Sequence, residues 1–402
     1  MERKKILYIH HGKGLGGAPL SLLYLIKNLD KTKYHPVVLF LYNSEMLQLY
    51  ESNGIEVFGP VGLSDFPHTK IFNYKWYHFH LFLKSCLHYF YTIFRIADYW
   101  LDKIKPDLVH LNTSSLIAWA RVAKKRGIPV VFHVREPLAK GYFGVRKFFV
   151  KKSVGKYSDV IMPICKNDAK PWFNFSKVQI VYNAVDSNKF DKNISENVFL
   201  SKYNLSKYSP KILFLGGLSQ EKGTLVILQI FKKLLQFRPQ VQLLIGSYFD
   251  LKISTHLSLK RYFPAQIYNV KIKKILDKVK NSIVFFGPIN NVEEALAACD
   301  VLVFPSTVGH FARPIIEAGF MCKPVIAANL PPLDELVING ETGFLIDINN
   351  QEQWVEKLHA LLTNKSLNKR IGEKAYKFCL KNFDINKQLD SVHQCYCKLL
   401  SL

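Results

Sequence analysis

Between Val301 and Leu345 the chain reads VLVFPSTVGHFARPIIEAGFMCKPVIAANLPPLDELVINGETGFL, and few folds accommodate that order. VLVF and PVIAA are short apolar, β-branched runs without polar alternation, the pattern of strands buried on both faces of a parallel sheet. RPIIEAGFMC between them has helical spacing. The unit is therefore strand, loop, helix, strand, which must cross over right-handed. Strand ends and helix N-terminus then share one crevice, where backbone N–H groups and the helix dipole favour an anion such as a diphosphate. Glu317, a carboxylate expected at the start of that helix, reads either as a ligand residue or as a solvated helix residue.

The same pattern recurs along the chain. KKILYIH, HPVVLFLY, DLVHL, IPVVFHV, SDVIMPI and VQIVYNAV are short apolar runs separated by helical stretches, the first of which aligns Leu22, Leu25, Ile26 and Leu29 on one face. The series restarts at KILFLGGLSQEKGTLVILQIFKKLL and continues through VQLLIGSY, SIVFFGPI, DVLVFP, KPVIAAN and GFLID. Two doubly wound α/β domains follow, with the polar stretch from Asp186 to about Pro210 as a linker. A length of 402 residues and 49% hydrophobic content suffice for two cores. Seven scattered cysteines without a CxxC pair fit reduced thiols rather than a disulfide frame or zinc site. MERKKILYIHHGKG enters a strand directly, unlike a signal peptide, and no run reaches the roughly 20 apolar residues of a membrane span. A cytoplasmic protein is expected.

The formal charge of +24 calls for an anionic partner. Nucleic acid ranks behind a phosphate-rich substrate or an acidic phospholipid surface, because no RNA-binding or zinc-finger signature accompanies the charge. Gly12, Gly14 and Gly17 spell G-x-G-x-x-G, yet dinucleotide binding also needs an acidic residue ending the second strand, and VVLFLYNSE offers only Glu45 beyond it. From Phe72 to Ile104 aromatics and cations are dense, with Leu83, Leu87, Phe90, Phe94, Ala97, Leu101 and Ile104 at helical spacing. That stretch is either a core-packed helix or, with Trp76, Tyr77, Phe79 and Phe82 and with Lys140, Arg146, Lys147, Lys151, Lys152 and Lys156, a membrane-interface surface.

PSTVGHFARPIIEAGFMCKPVIA is similar to the nucleotide-sugar motif of the family-four (group 1) retaining glycosyltransferases. Pro305, Ser306, Glu317, Ala318, Pro324, Val325, Ile326, Glu335, Val337, Gly340, Gly343, Phe344 and Leu345 fall on that pattern. The resemblance implies a GT-B architecture: two Rossmann-like domains facing a cleft, acceptor bound at residues 1–190 and nucleotide sugar at 208–375, with a helix in 376–402 crossing back. It implies that Glu317 holds the donor ribose. Gly309 stands where the family carries a first, sugar-facing glutamate, and Gly309→Glu is expected to restore or change sugar preference.

GGLSQEKG, Gly216 to Gly223, resembles the family's G-R-x-x-x-x-K-G loop, whose cations neutralise the donor diphosphate. Lys222 matches the lysine. Gly217 replaces the arginine, a cation that Arg313 or Arg135 would supply from elsewhere. Gly16 and Gly17 resemble the family's N-terminal glycine loop, and His133, in PVVFHVRE, the histidine beside the transferring sugar; a lone histidine near a buried strand is otherwise structural. His110 and Asn112 are weaker candidates of the same kind. VYNAVDSNKF resembles the family's interdomain segment and reads as architectural.

The expected activity is retaining hexosyl transfer from a nucleotide diphosphate sugar to a glycan or lipid-linked glycan acceptor, in surface polysaccharide assembly. The catalytic residues would be His133, Lys222 and Glu317. Donor contacts would come from Gly16, Gly17, Gly216, Gly217, Lys222, Gly309, His310, Phe311, Arg313, Pro314, Ile315 and Glu317. No metal or other cofactor is expected, since the chain has no D-x-D motif and protein cations can stabilise the leaving group. The expected location is cytoplasmic, peripheral on the inner face of the membrane. The competing reading is a catalytically silent sugar-nucleotide-binding or scaffold subunit, because Gly217 and Gly309 replace two charged positions.

Overall fold

The computed structural model describes residues 2–12, 17–61, 63, 79–246, 259–287 and 291–402. Contacts divide the chain into two units, Met1–Ala184 with Ile385–Leu402, and Val185–Asp384.

The first unit holds six parallel strands: β1 (Lys4–His10), β2 (Tyr34–Phe40), β3 (Glu56–Phe58), β4 (Leu108–Leu111), β5 (Val130–Val134) and β6 (Val160–Pro163). Their order is β3-β2-β1-β4-β5-β6, so the winding reverses between β1 and β4. Ile6, Leu7, Tyr8 and Ile9 of β1 are all fully buried, as an unalternating central strand requires. The helix Gly17–Asn28 packs Leu22, Leu25 and Ile26 into one of two clusters flanking the sheet. The helix Ile385–Leu400 adds Val392, Cys395 and Tyr396 to the same cluster.

The second unit repeats the plan with β7 (Lys211–Phe214), β8 (Gln242–Gly246), β9 (Ile283–Phe286), β10 (Val301–Phe304), β11 (Val325–Ala328) and β12 (Gly343–Ile346). The order β12-β11-β10-β7-β8-β9 reverses between β10 and β7. Residues 186–210 are no open linker: they belong to this unit, carry the helix Asn197–Lys202, and bury Phe190, Phe199 and Leu200.

Three local features differ from the sequence reading. VQIVYNAV forms no strand; it makes two isolated bridges, Val178 to Ile161 and Val185 to Asp384, with Val181 N donating to Pro163 O between them. β3 is a three-residue edge strand, too short for an alternating signal. The aromatic helix is split: Phe79–Tyr91 and Ala97–Ile104 flank a π turn, Thr92–Ile96. The wider turn inserts a residue and shifts the phase of the apolar stripe. Ala97, Leu101 and Ile104 are buried, whereas Leu87 and Phe94 are 70% and 71% exposed.

Candidate functional site

Open α/β sheets bind ligands beyond the carboxyl ends of the strands, where the winding reverses. In the second unit that point lies between β7 and β10, and the loops after these strands, 215–223 and 305–312, carry Gly216, Gly217, Lys222, Gly309, His310 and Phe311. The loops are stitched together: Thr307 N donates to Glu221 O at 2.9 Å, and Ser306 Oγ lies 2.9 Å from the same oxygen. A Cβ on Gly223, at φ 83°, would collide with the Pro305 carbonyl, so the approach of the loops needs glycine there.

Lys222 and His310 meet across this junction. Lys222 Nζ is 2.6 Å from His310 Nε2, while His310 Nδ1 is 2.9 Å from Val308 O. A carbonyl only accepts, so Nδ1 carries the proton and Nε2 accepts from the ammonium. Burial, with the Lys222 charge beside it, pushes the His310 pKa down to about 4. Burial also lowers the Lys222 pKa, against the pull of Glu221. The ammonium lies 5.7 Å from the Phe304 ring centre.

The glycines act through space rather than charge. Gly217 sits at φ 57°, the left-handed region, and its N–H donates to Gly246 O at 3.0 Å, so that group is committed within the fold. Gly216 packs where a Cβ would strike the Phe214 ring. At Gly309 a Cβ would strike the Pro331 carbonyl, which corrects the expectation that Gly309→Glu simply restores a family side chain.

The helix Arg313–Phe320 follows, with Arg313, Pro314 and Ile315 in its first turn. Proline is tolerated there because the first-turn N–H groups lack intrahelical partners. Glu317 is the fifth residue rather than the first, 5% exposed, and accepts from Arg313 Nε at 2.7 Å. It is not a solvated helix residue. Arg313 is tied to this carboxylate rather than standing as a spare cation. The ring of Phe311 lies 6.3 Å from that of Phe383.

In the first unit, His133 belongs to β5 and is fully buried. Its Nδ1 is 3.1 Å from His110 Nε2 and 3.3 Å from Arg135 Nη2. His110 Nδ1 is 2.7 Å from Tyr396 Oη, which is 2.9 Å from Tyr8 Oη. Arg135 also donates to Asn112 Oδ1 and Asn183 Oδ1, so it is committed inside this unit. Burial lowers its pKa to about 10, that of His110 to about 3, and that of His133 well below the ordinary histidine value. Gly17 begins the helix Gly17–Asn28, with open space where a Cβ would stand; Gly16, Trp76 and Tyr77 lie outside the described residues. Local sequence held no sign of Tyr396, 286 residues from His110.

Among the described residues no helix is long and apolar enough to cross a membrane, and no group of three or more histidine, cysteine or acidic side chains is placed to hold a metal ion.

Residues 196–378 match the family described as Glycosyl transferases group 1, and residues 15–189 match Glycosyltransferase Family 4. An uncharacterized glycosyltransferase of Methanocaldococcus jannaschii is 24% identical over 393 residues, 96% of this chain and 95% of the relative. The UDP-Gal:alpha-D-GlcNAc-diphosphoundecaprenol alpha-1,3-galactosyltransferase of Escherichia coli is 24% identical over 318 residues, 75% of this chain and 77% of its own length. Among solved structures, Anabaena HepE in complex with UDP and glucose superposes with a TM-score of 0.76 at 18% identity, covering 98% of this chain and 99% of that one. The two six-stranded parallel sheets are those of the GT-B fold.

Proposed function

The chain belongs to the group 1 glycosyltransferases, and from that premise we propose that it moves a hexose from a nucleoside diphosphate sugar to a glycan or lipid-linked glycan acceptor, with retention, in surface polysaccharide assembly. The observation that carries the reading is the Lys222–His310 pair at the winding reversal of the second unit. An ammonium has three N–H groups, so one bond to His310 leaves two for phosphate oxygens.

As the glycosidic bond of the donor breaks, negative charge grows on the leaving diphosphate. Lys222 meets that charge from a fixed position, and the helices starting at Thr224 and Arg313 add the positive ends of their dipoles. Protein groups thus supply the stabilisation, without a metal. Glu317, oriented by Arg313, accepts hydrogen bonds from the ribose hydroxyls, and His133 donates to a sugar oxygen. Gly216, Gly217 and Gly309 keep the backbone close to the ligand; Gly17 does the same in the first unit. His310, Phe311, Pro314 and Ile315 shape the donor pocket. The capsular polysaccharide glycosyltransferase CapM of Staphylococcus aureus, 25% identical over 227 residues, supports the choice of pathway.

The enzyme works at the cytoplasmic face of an anionic membrane. Leu83, Leu87, Phe90 and Phe94 present an apolar stripe, and a T-shaped contact of Tyr89 with Phe149, ring centres 5.5 Å apart, joins it to the helix Val145–Tyr157. That helix exposes Phe148 beside Lys147, Lys151 and Lys152, and Phe143, just before it, is 99% exposed. Apolar side chains rimmed by cations suit an acidic bilayer.

Product analysis with a panel of nucleoside diphosphate sugars tests the reading. A glycan carrying the donor's anomeric configuration supports it; inverted product contradicts retention, and donor binding without transfer supports a silent subunit instead. Glu317→Ala should weaken nucleotide binding by calorimetry, and unchanged affinity would remove the ribose role.

A further inference from the structure

The hydrogen bonds around His133 have a direction that the chemistry of one partner forces. Arg135 can only donate, so the His133 Nδ1 that lies 3.3 Å from its Nη2 must accept. A neutral imidazole has one N–H; with Nδ1 accepting, the proton sits on Nε2. The same Nδ1 is 3.1 Å from His110 Nε2, so that nitrogen is a donor and His110 Nδ1 an acceptor. Tyr396 therefore donates its hydroxyl proton to His110, and Tyr8 donates to Tyr396. All four side chains are buried, with at most 1% exposure, and burial favours neutral rings for both histidines.

The chain of bonds ends on an atom without a partner. His133 Nε2 is buried and makes no hydrogen bond among the described residues. A buried N–H left unpaired loses its bond to water without replacement, a cost that folds seldom carry unless a ligand supplies the acceptor.

We infer that His133 presents Nε2–H as a fixed donor to a lone pair on a ligand oxygen, and that His110 and Tyr396 are positioning residues that hold it in this tautomer. The inference rests on the reading of His133 as a sugar contact for its ligand class, a hexosyl oxygen of the donor. It has a consequence for mechanism. A nitrogen that already carries its proton cannot take one from the acceptor hydroxyl, so His133 is a donor and not the general base. The helix Ile385–Leu400 then serves the reaction from a distance, through one hydroxyl.

The test is long-range proton–nitrogen NMR on full-length protein labelled with ¹⁵N-histidine, with signals assigned by His133→Gln and His110→Gln. Near neutral pH both rings should show a protonated Nε2 and a bare Nδ1; a proton on His133 Nδ1 overturns the inference. Tyr396→Phe should move the His110 Nδ1 resonance, speed exchange of the His133 Nε2 proton with solvent, and lower kcat/KM by about tenfold, the worth of one hydrogen bond. Unchanged resonances and exchange in that variant overturn the role of Tyr396. Because the tautomers are read without turnover, expected spectra from a protein that transfers no sugar would fail the proposed activity and leave this arrangement standing.

Discussion

Lys222 Nζ and His310 Nε2 lie 2.6 Å apart, and the bond from His310 Nδ1 to Val308 O makes the ring a neutral acceptor toward the ammonium. The pairing joins two loops whose residues lie 88 positions apart in the chain. It aims the lysine without neutralising it, which a carboxylate at the same place would do.

Stability should fall as the solution is acidified from pH 7. Folded His310 has a pKa near 4 and His110 near 3, with His133 also depressed, against an ordinary value of about 6.5. Between these values the unfolded chain binds protons that the folded chain refuses, so unfolding free energy rises with pH there. The contribution is complete above about pH 6.5 and is lost on the way down to pH 4 and below, at about 1.4 kcal/mol per pH unit for each such proton. Urea midpoints across this range check it, and His310→Asn should flatten the slope. A midpoint that holds constant or rises on acidification would be the opposite result.

Gly309→Glu should destabilise the protein rather than restore a lost sugar contact. Its Cβ would meet the Pro331 carbonyl, and backbone displacement of that kind costs about 1–3 kcal/mol. Thermal unfolding reads the loss directly. A variant as stable as the parent, with new sugar preference, would show that the loop yields easily.

Vesicle binding should depend on the exposed stripe as well as on charge. Replacing Leu87 and Phe94 with serine, or Lys147, Lys151 and Lys152 with glutamine, should each reduce sedimentation with acidic vesicles while nucleotide affinity stays the same. Each cation near such a surface contributes about 1 kcal/mol, so the triple change should also weaken the salt sensitivity. Equal sedimentation by all three proteins would assign the surface to another partner.

The fold was readable because its evidence is local. Unalternating runs such as KILF and VLVF can be little else than central parallel strands, and both are fully buried. The exposed stripe was half readable: periodicity grouped Leu83 with Ile104, but the π turn at Thr92–Ile96, which has no signature in residue type, turns the two halves to different surroundings. At the site, Lys222, Glu317 and His133 stood out through spacing and resemblance. His310, Arg313 and His110 were candidates too, but which side chain pairs with which was not readable. The bond from Lys222 to His310 spans 88 residues and that from His110 to Tyr396 spans 286, so only the folded chain joins them. The obstruction at Gly309 was invisible for the same reason, since Pro331 becomes its neighbour only after β11 is in place.

The most direct measurement is release of nucleoside diphosphate by the purified chain and by Lys222→Ala, each saturated with a nucleoside diphosphate sugar and given a glycan acceptor. Removing one preorganised donor from a developing anion typically costs about 2.7–4 kcal/mol, so turnover by the variant should fall by about 10²–10³ while its melting temperature stays near that of the parent. Equal turnover by the two proteins, with donor saturating both, would contradict the account.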